Sequence, residues 1–205
     1  MARDGLVLKG TGGLVERNQF EGLGVSAILS DNGGTGTPGN LIKNASLNVP
    51  YRGVKGEVYE GGIRVPFVAQ WKGCLPAGQT YAHPITALDL LPTALSAAGI
   101  PPLAGVVLDG VNLLPFLEGK AAGAPHGPLY WRWQNRRAVQ DAGWKWIRNG
   151  EEPPELYHLG SDLFEAANLA AREPARTQRL GESWATWDAG NPPLDPAHRG
   201  SVRNK

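Results

Sequence analysis

The chain has 205 residues, enough for one ordinary domain or one domain with a small appendage. Its 20 Lys and Arg against 19 Asp and Glu leave a net charge of +1, which argues against a nucleic-acid groove or a polybasic membrane patch. A single Cys excludes an intrachain disulfide framework and a CxxC metal site, and no apolar run approaches the roughly 20 residues of a membrane span.

Residues 1–24 are Gly-rich and read as an irregular segment. A weak helical pattern (Leu14, Val15, Phe20, Leu23) is interrupted by Gly10, Gly12 and Gly13. Met1-Ala-Arg-Asp-Gly5 has no signal-peptide apolar stretch, so nothing here assigns a compartment. Gly24 to Ser30 is a short, β-branched apolar run and predicts a buried strand. It breaks at Asp31-Asn-Gly-Gly34, and no periodicity follows as far as Pro50. A non-repetitive stretch of that length inside a domain is uncommon and often functional.

Ile63 to Trp71 predicts a second strand, with Pro66 favouring an edge position or a bulge. Residues 86–98 predict a helix. Thr86 and Asp89 form a capping-box pattern, and Leu88, Leu91, Leu95 and Ala98 share one face. Gly99 suits the C′ position, and Pro92 should kink the helix after its first turn. A short helix spans 113–118. The Gly/Ala/Pro stretch 118–127 reads as a boundary between a 25–118 region and a 128–188 subdomain. That subdomain carries short aromatic-rich strands at 129–133, 137–140, 144–148 and 155–159. A terminal helix at 171–188 follows, with Leu180, Trp184 and Trp187 on one side. Residues 189–205 read as a frayed tail.

Two clusters carry chemistry. Asp31 and Asn32 stand just past a strand end, where ligands bind in open α/β sheets. A carboxylate and an amide carbonyl are hard oxygen donors suited to Ca²⁺ or Mg²⁺. The same residues also suit a hairpin turn, although no alternating strand follows. Two donors fall short of the six to eight a Ca²⁺ ion takes. The second cluster is Arg52 to Arg64. Lys55, ahead of Gly56, presents a point charge that an oxyanion can approach. Gly61-Gly62 makes a tight lead-in to the next strand, and Glu60 and Arg64 read as structural.

Taken together, the clusters resemble the arylsulfatase-type sulfatases of the alkaline-phosphatase-like superfamily. Ser30-Asp-Asn-Gly-Gly34 is similar to a family metal-binding motif. Gly53-Val-Lys-Gly-Glu-Val-Tyr-Glu-Gly-Gly-Ile-Arg-Val-Pro66 is similar to the signature G-x-K-G-x-x-x-E-G-G-[IV]-R-x-P. Leu88-Asp-Leu-Leu-Pro-Thr93, Leu108-Asp-Gly-Val-Asn-Leu-Leu114, Trp144-Lys-Trp-Ile-Arg148, Glu155-Leu-Tyr-His-Leu159 and Asn168-Leu-Ala170 continue the resemblance in order. It covers about residues 25–170 and corresponds to the C-terminal part of a sulfatase. The resemblance implies an α/β fold: a mixed, largely parallel sheet between helices, truncated, then a small antiparallel sheet with a helix. It implies sulfuric-ester hydrolysis around one divalent cation, usually Ca²⁺, with Asp31 and Asn32 as metal ligands and Lys55 in contact with the sulfate. The expected substrate is a small sulfate ester or a sulfated carbohydrate. No nucleic-acid or membrane partner is expected, and members of the family are often exported.

The family's formylglycine nucleophile arises from a C/S-x-P-x-R motif that these 205 residues do not contain. Cys74-Leu-Pro-Ala-Gly78 matches only C-x-P, has Gly78 in place of Arg, and follows the lysine motif. The chain alone is therefore expected to be inactive. A missing N-terminal half, or a second copy of the chain, would cover the open sheet edge. The alternatives are a phosphatase or phosphodiesterase of the same superfamily, and a non-catalytic remnant or split-enzyme half acting as an interaction module. His83, His126, His158 and His198 are scattered singly, with His83 best placed near a pocket. Asn44-Ala-Ser46 matches a glycosylation acceptor, a pattern short enough to arise by chance. Tyr130, Trp131, Trp133, Trp144 and Trp146 suit either a carbohydrate platform or the core of the small sheet.

Overall fold

The computed structural model describes residues 48–101 and 104–193, Gly34, and the strand backbones at 6–8 and 25–29. In chain order the elements are β1 (Leu6–Leu8), β2 (Val25–Leu29), α1 (Glu60–Ile63), β3 (Phe67–Trp71), a 3₁₀ turn (Ala87–Asp89), α2 (Leu90–Ala97) and α3 (Leu114–Leu117). Then come β4 (Leu129–Trp133), β5 (Arg136–Asp141), β6 (Trp144–Asn149), β7 (Glu155–His158) and α4 (Pro174–Ala189). They divide into two compact units, one of residues 1–33 with 64–127 and one of residues 34–63 with 128–205.

The first unit holds a three-stranded sheet in the order β1-β3-β2. Both pairings are antiparallel, with Leu8 and Leu29 each opposite Phe67. The largely parallel order implied by the family resemblance is not found in these strands. Leu6–Leu8 is a strand within the stretch read as irregular. The helical pattern around Leu14 and Leu23 lies outside the described residues. β3 is the central strand, not an edge. Pro66 does not disturb it, because the ladder begins one residue later at Phe67. Phe67 packs with Leu113 and Leu117 of the α3 region.

The predicted 86–98 helix forms as a 3₁₀ turn running into α2. Pro92 is the third residue of α2. There its missing N–H removes no intrahelical bond, so the expected kink is replaced by the change from 3₁₀ to α geometry. Gly99, at φ +66°, closes the helix in a Schellman pattern. Its N–H donates to Ser96 O, and the N–H of Ile100 donates to Leu95 O. The apolar face of this helix stays open, with Leu88 59% and Leu91 55% exposed. The fixed point is Asp89, which is fully buried. Its carboxylate accepts from the backbone N–H groups of Thr86 (2.8 Å) and Val111 (2.9 Å) and lies 2.8 Å from His126 Nε2.

The second unit is built on the antiparallel meander β4-β5-β6-β7. The four strands read from the sequence form within one residue of their expected limits, and α4 covers most of the expected terminal helix. Alternation sends Val139, Trp146 and Leu156 to one face, where they meet Leu180 and Trp184 of α4. Ala138, Ile147 and Tyr157 go to the other face, against Val58, Tyr59 and Leu159. The sheet is thus buried on both sides. Gly181 brings α4 close: a methyl built there would lie 3.3 Å from the Trp146 ring.

Candidate functional site

The second face of the meander positions the lysine segment. Val54 to Glu57 form a turn in which the Glu57 N–H donates to Val54 O (2.9 Å). Gly56 occupies its third position at φ +88°, the conformation a type II turn requires of a glycine. Lys55 sits at the corner and is exposed. The Glu57 carboxylate accepts from the Val54 N–H at 3.0 Å. From the meander, the Arg136 guanidinium donates to Gly56 O at 2.9 Å.

Two features hold this turn against the rest of the segment. The first is Asn48, which is buried. Its Oδ1 accepts from the Gly34 N–H (2.8 Å), and its Nδ2 donates to Gly34 O (2.8 Å) and Gly53 O (3.0 Å). Gly34 O also accepts the Lys55 N–H at 3.0 Å. Gly34 closes the Asp31-Asn-Gly-Gly34 motif, so the end of that motif and the lysine turn share one hydrogen-bond cluster. The second feature is the pair Gly61-Gly62. These residues do not lead into a strand, as expected, but form the helical turn α1. A Cβ on Gly61 would lie 2.4 Å from Gly53 O, and one on Gly62 would lie 2.2 Å from Glu57 O. Only glycine lets the 52–57 backbone fold onto α1 this closely.

Beneath the turn lies a buried ionic cluster. Lys145 Nζ on β6 lies 2.8 Å from Glu60 Oε1 and 2.7 Å from Glu165 Oε1, and all three side chains are buried. Glu165 Oε2 also accepts the Glu60 backbone N–H at 2.8 Å. Burial pushes the Glu165 carboxyl above the usual carboxylate range, against the pull of Lys145. Beside it, Arg52 stacks over the Tyr59 ring at 3.9 Å and donates to Glu155 (2.9 Å), the Tyr157 hydroxyl (2.7 Å) and the Tyr59 hydroxyl (3.0 Å). Tyr59 O–H donates to Glu155 Oε1 at 2.7 Å, and Tyr157 O–H donates to Glu155 Oε2. Burial first, and then Glu155, pushes the Tyr59 hydroxyl up to about 12, and Tyr157 moves in the same direction.

Asp31 and Asn32 lie outside the described residues, as do Asn44-Ala-Ser46 and His198. Among the described residues no group of three or more His, Cys, Asp or Glu is arranged to hold a metal ion. The chemistry of Asp31 and Asn32 fits a hard cation, but two donors do not complete its shell. Cys74 is exposed, in the turn that closes on Trp71 O. His83 is exposed with its ring 5.4 Å from that of Tyr81, and His158 packs on Trp144. Of the five aromatic residues read either as platform or as core, Trp146 is buried and Tyr130, Trp131 and Trp144 are partly buried. Trp133 is 53% exposed.

No family model matches the chain. Among curated relatives, the uncharacterized sulfatase YdeN of Escherichia coli K12 is 45% identical over 85 residues, 42% of this chain and 15% of YdeN. The N-acetylgalactosamine-6-sulfatase of Sus scrofa is 31% identical over 150 residues, 70% of this chain and 27% of that enzyme. The chain thus spans well under a third of the length of these relatives. Among solved structures, Ps i-CgsB superposes with a TM-score of 0.70 at 28% identity, over 80% of this chain and 36% of that one. It has also been solved in complex with k-i-k-neocarrahexaose. The phosphonate monoester hydrolase of Agrobacterium radiobacter superposes with a TM-score of 0.50 at 26% identity, over 63% of this chain and 30% of that one.

Proposed function

Because the chain belongs by homology to the sulfatase family, we propose that it supplies part of a site for sulfuric-ester hydrolysis, with Lys55 contacting the sulfate group. The observation that carries this reading is the Lys55 N–H bond to Gly34 O. It ties the lysine turn to the last residue of the Asp31-Asn-Gly-Gly34 motif. Asp31 and Asn32 would give two oxygen donors to a divalent cation, Ca²⁺ in preference to Mg²⁺, with further donors from elsewhere. Such an ion would supply charge stabilisation at the sulfuryl oxygens.

The chain's own contribution is positional. Lys55 projects from a turn whose backbone is fixed by Gly34, Glu57 and Arg136, so its ammonium meets an incoming anion with little reordering of the backbone. An ammonium so held would bind a sulfuryl oxygen and stabilise charge that builds on it. The 205 residues contain no C/S-x-P-x-R motif, so the covalent step calls for a nucleophile they do not supply. The substrate class we propose is a sulfated carbohydrate. The named activity of the Sus scrofa relative and the oligosaccharide bound to Ps i-CgsB support that class.

The test is a titration of the chain with an aryl sulfate in the presence of Ca²⁺, followed by NMR, for the native sequence and Lys55→Ala. Weakened binding in the variant supports the reading; equal binding overturns it. A turnover assay on the same compound should show no hydrolysis, and turnover lost in Lys55→Ala would show that the chain is self-sufficient. An aryl phosphate and a phosphonate monoester run in parallel test the sibling chemistry, which the Agrobacterium radiobacter neighbour favours.

A further inference from the structure

Trp133 is the last residue of β4, at the tip of the β4–β5 hairpin, and 53% of its surface faces solvent. The other aromatic residues of this sheet are drawn into its two cores or packed on α4. Tyr130 stacks on Trp187 at 5.0 Å, and Trp184 Nε1 donates to Trp131 O at 3.0 Å. Trp133 takes no such place. Its ring instead lies beside the lysine turn: a methyl built on Gly56 would sit 3.6 Å from the indole Nε1.

The hairpin and the turn are also bonded, through the Arg136 guanidinium and Gly56 O. The hairpin tip is fixed in turn by the Gly150 N–H bond to Asn135 O (2.9 Å). Arg136 is engaged on the backbone of Gly56, and the preceding residue, Lys55, is exposed. The lysine turn thus abuts an exposed apolar ring at Gly56, one residue from Lys55, on a base tied by the Arg136 bond.

We infer that Trp133 forms a saccharide subsite beside Lys55, on which the C–H face of a pyranose ring stacks while the ring's sulfate ester meets the Lys55 ammonium. The inference rests on the proposed sulfate contact of Lys55 and adds a residue that holds the ring bearing the sulfate. An indole offers a broad apolar surface at little entropic cost, and its exposure here leaves that surface available. Inorganic sulfate has no apolar face and would gain nothing from Trp133.

The chain is titrated with methyl galactoside 6-sulfate, unsulfated methyl galactoside and inorganic sulfate, with the Trp133 indole N–H resonance as reporter. The sulfated galactoside should shift that resonance. Trp133→Ala should weaken its binding about tenfold and leave inorganic sulfate unchanged, while Trp133→Phe should stay within about threefold of the native chain. Lys55→Ala should weaken both sulfate-bearing probes. If Trp133→Ala leaves the sulfated galactoside unaffected while Lys55→Ala weakens it, the subsite is overturned and the lysine reading stands. If Lys55→Ala changes neither probe, the lysine reading fails, and the inferred pairing with Trp133 fails with it. Failure of the native chain to bind the sulfated galactoside overturns the subsite outright.

Discussion

Lys145 and Glu60 meet at 2.8 Å in the interior of the second unit, although 85 residues separate them along the chain. One stands on the third strand of the meander and the other on the helical turn behind the lysine loop. Replacing Lys145 with Met removes the buried ammonium that bridges the Glu60 and Glu165 carboxylates. The expected cost is about 3–5 kcal/mol. Urea unfolding measures it, and a loss under about 1 kcal/mol would deny the cluster that role.

Glu165→Gln should behave differently. The native carboxyl holds its proton more tightly than an unfolded one, because burial disfavours the charged form. The stability it contributes is present at low pH and declines as pH rises above the ordinary carboxylate range. The variant carries no such group, so its stability relative to the native chain should improve from pH 4 to pH 7. Paired denaturation curves across that range give the sign.

Asn48→Ala removes three hydrogen bonds at once, two to Gly34 and one to Gly53. A loss of about 2–3 kcal/mol is expected at roughly one per bond. The more informative readout is amide exchange at Lys55, whose partner is Gly34 O. Faster exchange there than at Ile147 would show that the clasp steadies the turn rather than the whole unit.

Gly62→Ala puts a methyl 2.2 Å from Glu57 O, a distance no side-chain relaxation can relieve. The 54–57 turn must move, at a cost of about 3 kcal/mol or more. Gly78→Ala is the control: it carries the strain of φ +67° but meets nothing within 4 Å. Thermal unfolding should separate the two, with Gly62→Ala the lower.

Tyr59 links acidity to folding at the alkaline end. Its hydroxyl ionises at about 12 in the folded chain against 10.0 ordinarily, through burial and its bond to Glu155. Its share of stability is therefore intact below pH 10 and lost as pH climbs towards 12. Phenolate absorbance should show a late transition whose amplitude falls by one tyrosine in Tyr59→Phe, with Tyr157 still titrating late. Glu155→Gln should bring that transition to lower pH.

The second unit is legible in the sequence because its strands and helix obey simple periodicities. Val139, Trp146 and Leu156 alternate with Ala138, Ile147 and Tyr157, and Leu180 and Trp184 repeat at helical spacing. Lys145 breaks that alternation on an inward-facing position of β6, a signal that a buried partner exists somewhere. Nothing local names Glu60 as that partner. α1 is hidden because paired glycines are poor helix formers, and here they serve close backbone approach. Asn48 is hidden because an Asn in a long aperiodic stretch looks like any turn residue. Lys55 is legible through the family motif alone; its turn geometry follows from Gly56.

The hydrogen bonds described for the 54–57 turn all involve its main chain or the Glu57 carboxylate, and none uses the Lys55 side chain. The corner is therefore a socket. Shorter, longer or non-natural cations can be installed at position 55 without redesigning the scaffold, and the length of the installed arm becomes an adjustable ruler for the distance at which an anion is held.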